Sequence, residues 1–167
     1  MSPRAVLIGP PGSGKSTVGQ LLAERLKVAF RDTDADVERA AGKPVSDVFI
    51  EDGEETFREL EADAVRRALA EHDGVLSLGG GAILAEATRE LLAGHPVVYL
   101  EVGLSNAVQR VGLASARPLL VLNPRSQLKK LMDARRPVYE GLATIVVATD
   151  DRDPGQLVDE IVGSLKP

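Results

Sequence analysis

The sequence predicts an α/β fold, a mostly parallel β-sheet covered by helices on both faces, and three observations predict it. Short runs rich in Val, Ile and Leu alternate with longer segments of helical periodicity along the 167 residues. The runs are brief and bounded by Gly or Pro, which suits strands buried on both faces. Strand–helix alternation links strands through crossovers, and crossovers build parallel sheets with helices above and below. A chain of this length buries roughly 70% of its unfolded surface, so one domain spanning 1–167 needs no staple to fold.

The first strand is expected at Ala5–Gly9 (AVLIG), where four apolar residues meet a Gly-Pro cluster, and Lys15–Leu26 follows as a helix. Val28–Asp32 (VAFRD) is the second strand, leading into a helix at Asp34–Ala41. A longer helix at Glu54–Glu71 places Phe57, Leu60, Ala64, Ala68 and Leu69 at three- and four-residue spacing, an amphipathic face. The remaining strands are Val75–Leu78, Val97–Val102 and Thr144–Ala148; the remaining helices are Ala85–Ala93, Ser105–Val111, Arg125–Ala134 and one near Gln156–Leu165. Open sheets of this kind bind ligands at the carboxyl ends of their strands, and the sequence motifs fall there.

Composition excludes several chemistries. There is no cysteine, hence no thiol nucleophile, iron–sulfur cluster, Cys-ligated zinc or disulfide scaffold. Two histidines leave little for a His-rich metal site. A net charge of −5 argues against a nucleic-acid partner. No segment has the apolar length of a secretory leader or membrane span, so a cytoplasmic chain with no membrane partner is expected.

Gly9-Pro10-Pro11-Gly12-Ser13-Gly14-Lys15-Ser16 fits G-x-x-x-x-G-K-[ST] at every fixed position, with a strand before it and a helix after. Glycines let successive N–H groups face phosphate oxygens at the positive end of the helix. Lys15 is a mobile point charge for the β- and γ-phosphates, and the Ser16 hydroxyl is a Mg²⁺ ligand. Nucleotide binding follows, by Gly12, Ser13, Gly14, Lys15, Ser16 and Thr17. Pro10 removes an amide at a variable position of the loop.

Asp32 and Asp34 follow the second strand, spaced by two, and so share a face if the segment is extended. One reading makes them a helix N-cap and a first-turn acid. The other gives Asp32 to Mg²⁺ through water and makes Asp34 the acceptor of a proton from an attacking hydroxyl. The neighbouring phosphate loop favours the second.

GPPGSGKS, DTD at 32–34, DGEETFRELE at 52–61, LGGGA at 78–82, ARPLL at 116–120 and ARRPVYE at 134–140 together resemble the shikimate kinase family over nearly the whole chain. The resemblance implies a nucleoside-monophosphate-kinase type of fold, a three-layer α/β/α sandwich around a five-stranded parallel sheet. It also implies a substrate-binding subdomain at about 33–61 and a mobile lid at about 112–124. The implied reaction is ATP-dependent phosphorylation of the shikimate 3-hydroxyl with Mg²⁺, in chorismate biosynthesis, by a monomer. Arg58 matches the carboxylate-binding arginine; its bland alternative is a surface pair with Glu54. Glu61 would hold the Arg58 guanidinium. Gly79, Gly80 and Gly81 would bring backbone amides to the substrate, and Val45, Phe49 and Phe57 would wall the ring. Arg117 would swing over the phosphates with the lid, and Arg110 with the Arg152–Pro154 segment would flank adenine. Arg135 is the second carboxylate ligand by alignment, with the adjacent Arg136 the alternative.

Of the 20 cations, 14 are arginine, the residue for bidentate capture of carboxylate and phosphate. Residues 32–63 hold 12 acids against three bases, and residues 103–152 eight bases against four acids. The expectation is an acidic substrate side and a basic lid and nucleotide side.

Overall fold

In a computed structural model that describes residues 2–111 and 124–165, five parallel strands form one sheet. The strands are β1 (Ala5–Ile8), β2 (Phe30–Asp32), β3 (Val75–Ser77), β4 (Val97–Glu101) and β5 (Ile145–Ala148), in the order β2-β3-β1-β4-β5. The helices are α1 (Lys15–Leu26), α2 (Thr33–Ala41), α3 (Val45–Glu71), α4 (Glu86–Leu92), α5 (Leu104–Val111), α6 (Pro124–Leu142) and α7 (Pro154–Ser164). A short 3₁₀ turn, Ala82–Leu84, precedes α4.

Strand β1 shows why the sheet has helices on both faces. Ala5 and Leu7 pack in one core with Val18 and Leu22 of α1 and Leu157, Val158 and Ile161 of α7. Val6 and Ile8 pack in the other, with Val65 and Leu69 of α3, Leu92 of α4 and Tyr139 of α6. Each Val, Leu or Ile among them contributes about 1.5–3 kcal/mol on full burial. Right-handed crossovers dictate the sides. The chain leaves β1 in one direction across the sheet by way of α1, and every later crossover runs the other way, through α3, α4 and α6.

The loops leaving the adjacent strands β1 and β3 therefore turn to opposite faces and open a crevice between them. The pairings Leu7↔Ser77 and Asp32↔Ser77 bring the ends of β1, β2 and β3 level at its floor.

Two helices differ from the sequence expectation. The helix expected from Glu54 begins at Val45, because two helices abut at Gly53, whose φ of 89° and ψ of 164° are not helical. The segment from α2 through this junction has a core of its own, Val37, Val48, Phe57 and Ala64, edged by Val45, Phe49 and Leu60. The helix expected to stop at Ala134 runs on to Leu142 through Pro137. Proline costs one backbone hydrogen bond there, and burial of Tyr139 in the core beyond it offsets the loss. The lid expected at about 112–124, with Arg117, falls outside the described residues except for Pro124, where α6 starts.

Candidate functional site

The crevice holds a cavity of about 480 Å³ lined by Pro11, Gly12, Gly14, Lys15, Ser16, Thr17, Asp32, Asp34, Ser77, Leu78, Gly79, Gly80 and Arg110. One wall is the phosphate loop. Gly12 and Gly14 take φ of 82° and 88°, a backbone open to glycine and strained for other residues. Gly14 is the N-cap of α1, so the loop delivers its amides at the positive end of a helix. The Lys15 ammonium donates to the carbonyls of Gly9 at 2.7 Å and Pro10 at 3.2 Å. Ser13 is buried at the base of the loop rather than in the cavity lining.

The helix-cap reading of Asp32 holds, and the same side chain also faces the phosphate loop. One carboxylate oxygen caps α2 by accepting from the Asp34 N–H at 2.9 Å, and the other lies 3.4 Å from the Ser16 hydroxyl. Burial pushes the Asp32 carboxyl above its ordinary value, and the Asp34 charge adds to this; the Asp34 amide, Lys15 and Ser16 oppose it. The two acids do not lie on one extended face, as their spacing alone suggested. Asp32 ends β2 and Asp34 is in the first turn of α2, and the strand-to-helix bend turns both into the cavity.

Beyond Asp34 the lining is Gly79 and Gly80, with Gly81 following them. None of the three has a left-handed φ, so the reason for glycine here is space. A Cβ on Gly79 would lie 2.7 Å from Asp34 Oδ1 and 2.8 Å from Glu61 Oε2. On Gly81 it would lie 2.5 Å from Arg58 Nη1, and on Gly80 3.2 Å from Pro11 Cδ. Arg58 donates to the buried Glu61 at 2.8 Å instead of pairing with Glu54, and its guanidinium lies 5.2 Å from the Phe57 ring centre and 5.9 Å from that of Phe49. Phe57 is core, whereas Phe49 and Val45 are half-buried at the edge of the same cluster.

The doubled arginine separates cleanly. Arg135 is 8% exposed, and burial lowers its pKa further than the neighbouring Arg58 charge does; the Tyr139 hydroxyl and Glu61 support its charge. Arg136 is 45% exposed and pairs with Asp133 at the surface.

Arg110 reaches back to the phosphate loop and donates to the Gly12 carbonyl at 3.1 Å. Arg152 donates to the Ala148 carbonyl and pairs with Glu160, and Pro154 opens α7 behind an Asp153 capping box; neither lines this cavity.

Sequence reasoning missed two residues. The buried Thr33 hydroxyl accepts from the Gly79 amide at 3.3 Å, and the Tyr139 hydroxyl donates to the Gly80 carbonyl. Thr33 was legible as the middle of D-T-D and Tyr139 as the end of the R-R-P-V-Y match, but their contacts were not, because only the fold brings α2 and α6 to the end of β3.

The model of the family "Shikimate kinase" matches residues 11–166. The chain belongs to that family. A shikimate kinase of Saccharopolyspora erythraea is 61% identical over 163 residues, covering 97% of this chain and 93% of the relative. One of Salinispora arenicola is 60% identical, with 99% of each chain covered. The solved structure of the shikimate kinase from Acinetobacter baumannii in complex with shikimate superposes at a TM-score of 0.92, with 35% identity over 97% of this chain and 91% of that one. A gluconokinase from Sinorhizobium meliloti at 22% identity and a deoxyadenosine kinase from M. mycoides at 15%, each at a TM-score of 0.61, share the fold alone.

Proposed function

We propose that this cavity carries out the reaction of the family to which the chain belongs, phosphorylation of shikimate by ATP in aromatic biosynthesis. The γ-phosphoryl group goes to the 3-hydroxyl, leaving shikimate 3-phosphate and ADP. The observation that carries the assignment of the site is a chain of contacts. One cavity joins the phosphate loop to Asp34, Gly79 and Gly80, and beside it Gly81 lies against Arg58, with Arg135 and Glu61 close by.

Gly12, Ser13, Gly14, Lys15 and Thr17 hold the nucleotide phosphates, with Arg110 beside them. Arg58 and Arg135 take the shikimate carboxylate, and Glu61 with the faces of Phe49 and Phe57 fixes the Arg58 fork. Val45 and Phe49 line the ring side. Asp34 orients the acceptor hydroxyl and takes its proton late, since phosphoryl transfer asks little base strength. Lys15 stabilises charge on the transferred group, joined by Arg117 from the lid. Arg152 and Pro154 flank adenine.

Ser16 and Asp32 fit a hard divalent cation. They are oxygen donors 3.4 Å apart, one of them a half-buried carboxylate whose ionised form a cation favours. Among the described residues no group of three or more His, Cys, Asp or Glu forms a cage, which suits an ion that arrives on the nucleotide and keeps its waters. Mg²⁺ held there would supply charge neutralisation to the nucleotide phosphates.

The chain works as a soluble cytoplasmic monomer. The exposed apolar side chains Leu21, Ile50, Leu84, Leu91 and Val146 are scattered over several elements, and among the described residues no helix is long and apolar enough to cross a membrane. The test is ADP release from Mg·ATP with shikimate, gluconate, AMP, CMP or no acceptor. Shikimate alone should drive turnover; hydrolysis indifferent to acceptor would overturn the reading.

A further inference from the structure

The three carbonyls of Gly79-Gly80-Gly81 are all engaged within the fold. Those of Gly79 and Gly81 accept from the Ala82 and Leu84 amides, and that of Gly80 accepts from the Tyr139 hydroxyl. The Gly79 amide is held by Thr33. The amides of Gly80 and Gly81 have no partner among the described residues, although both glycines are buried. Buried N–H groups without a partner are rare, and they mark a place where a ligand supplies the acceptor.

The Gly80 carbonyl and the Gly81 N–H belong to one peptide plane, and the chain has no cis bond among its described residues, so they point in opposite directions. A Gly-Gly peptide flips easily, since neither side chain resists rotation. Tyr139 is 1% exposed, stacked on Tyr99 at 5.1 Å and set in the core beneath the sheet, so its hydroxyl fixes the carbonyl inward. The Gly81 amide is thereby turned the opposite way, out of the core, and the Arg58 guanidinium lies beside Gly81, where a Cβ would meet its Nη1 at 2.5 Å. Arg135 lies one turn earlier on α6, four residues before Tyr139 and so on the same helix face.

We propose that Tyr139 is a positioning residue of the carboxylate-binding site, its hydroxyl setting the direction of the Gly81 amide through the Gly80 carbonyl. This rests on the reading above that Arg58 and Arg135 receive a substrate carboxylate. It adds that the receiving geometry is set from the core, by a residue that touches no substrate.

The test is Tyr139→Phe, which keeps the ring and its stacking and deletes the hydroxyl. Wild type and variant are compared on shikimate and on shikimate methyl ester, whose carboxylate charge is absent. The wild type should favour the acid strongly in kcat/KM. In Tyr139→Phe the shikimate KM should rise about tenfold, the scale of one charge-assisted hydrogen bond, and the acid-over-ester preference should fall by a similar factor. The ATP KM should stay within about twofold. Tyr99→Phe, which removes the hydroxyl of the stacking partner, should leave the preference unchanged. A variant that melts lower yet keeps the full preference gives Tyr139 a packing role only and overturns the proposal. The same shift in Tyr99→Phe overturns it too, by assigning the effect to the stacked pair. A wild type indifferent to esterification overturns the carboxylate reading itself, and the proposal with it.

Discussion

Three adjacent glycines should give three different kinetic defects when each becomes alanine, because each Cβ would meet a different part of the site. In Gly81→Ala the new carbon would sit 2.5, 2.7 and 2.9 Å from Nη1, Nη2 and Cζ of Arg58. The backbone there, φ −100° and ψ 2°, accepts alanine, so the strain falls on the guanidinium, which must retreat by about 1 Å to reach ordinary contact. That retreat takes Arg58 off Glu61 and away from the Phe57 face. A hydrogen bond to a charged group is worth about 1.5–3 kcal/mol, and loss of one such bond to the substrate carboxylate raises the shikimate KM about 10- to 100-fold. The ion pair lost with Glu61 is half-buried and local, so the melting temperature should fall by only a few degrees, about 2–4 °C per kcal/mol at this size. In Gly79→Ala the carbon meets Asp34 Oδ1 at 2.7 Å and Glu61 Oε2 at 2.8 Å, so kcat should fall more than either KM. In Gly80→Ala the nearest atoms are Pro11 Cδ at 3.2 Å and the Gly9 carbonyl at 3.4 Å, so the defect should be mild and appear in the ATP KM. Coupled ADP release, varying each substrate with the other saturating, separates the three. Equal defects in all three variants would refute the reasoning, by showing the segment to be a spacer whose bulk alone matters.

Other substitutions test single groups. Asp34→Asn should leave nucleotide affinity nearly intact, measured by equilibrium titration, while cutting kcat at least ~100-fold, the usual range for a general base; unchanged turnover would remove Asp34 from proton transfer. Arg135→Ala should raise the shikimate KM by about 10-fold or more, whereas Arg136→Ala, at a solvent-exposed pair, should change it by less than about threefold; the reverse order would reassign the ligand. Asp32→Asn keeps an N-cap of equal quality but removes a carboxylate whose ionised form burial disfavours. A raised carboxyl means that the native state holds its proton more tightly than the unfolded chain, so this residue's contribution to stability is lost as pH rises from 3.8 through its folded value. The apo variant should therefore gain in melting temperature over wild type as pH goes from 4 to 7, while its KM for Mg·ATP rises. A stability difference that shrinks with pH would contradict the burial argument.

The sheet and its helices were legible because β1, β3 and β4 are buried on both faces and must be apolar throughout. The phosphate loop was legible because its chemistry is local: eight consecutive residues contain the turn, the donors and the cap. What escaped was set by distance along the chain. Pro137 reads as a stop, and only the burial of Tyr139 two residues on explains why α6 continues. Gly53 reads as an ordinary position between acids, yet it is where two helices meet as α3. Arg135 and Arg136 are indistinguishable as letters; on α6 they lie about 100° apart, so one points to the core and the other to water. Thr33 and Tyr139 hold the same glycine segment across 46 and 59 residues of sequence, a relation that spacing cannot express.

The charge pattern changes meaning in the same way. Residues 32–63 hold 12 acids against three bases, and a surface of that formal charge would repel two anionic substrates. In the structure much of it is paired. Asp36 accepts from Arg31 and Arg39, Asp63 from Arg66 and Arg67, Glu51 and Asp52 from Lys43, and Glu61 from Arg58. Three of these cations, Arg31, Arg66 and Arg67, lie just outside the segment, so a count along the chain assigns their charge elsewhere. The acids that reach the cavity are Asp32 and Asp34, beside Lys15. The field a substrate meets is therefore set by a few buried groups in low dielectric rather than by the segment's total. Around Glu61 that balance is two arginines, Arg58 and Arg135, against one buried acid, a local excess of positive charge.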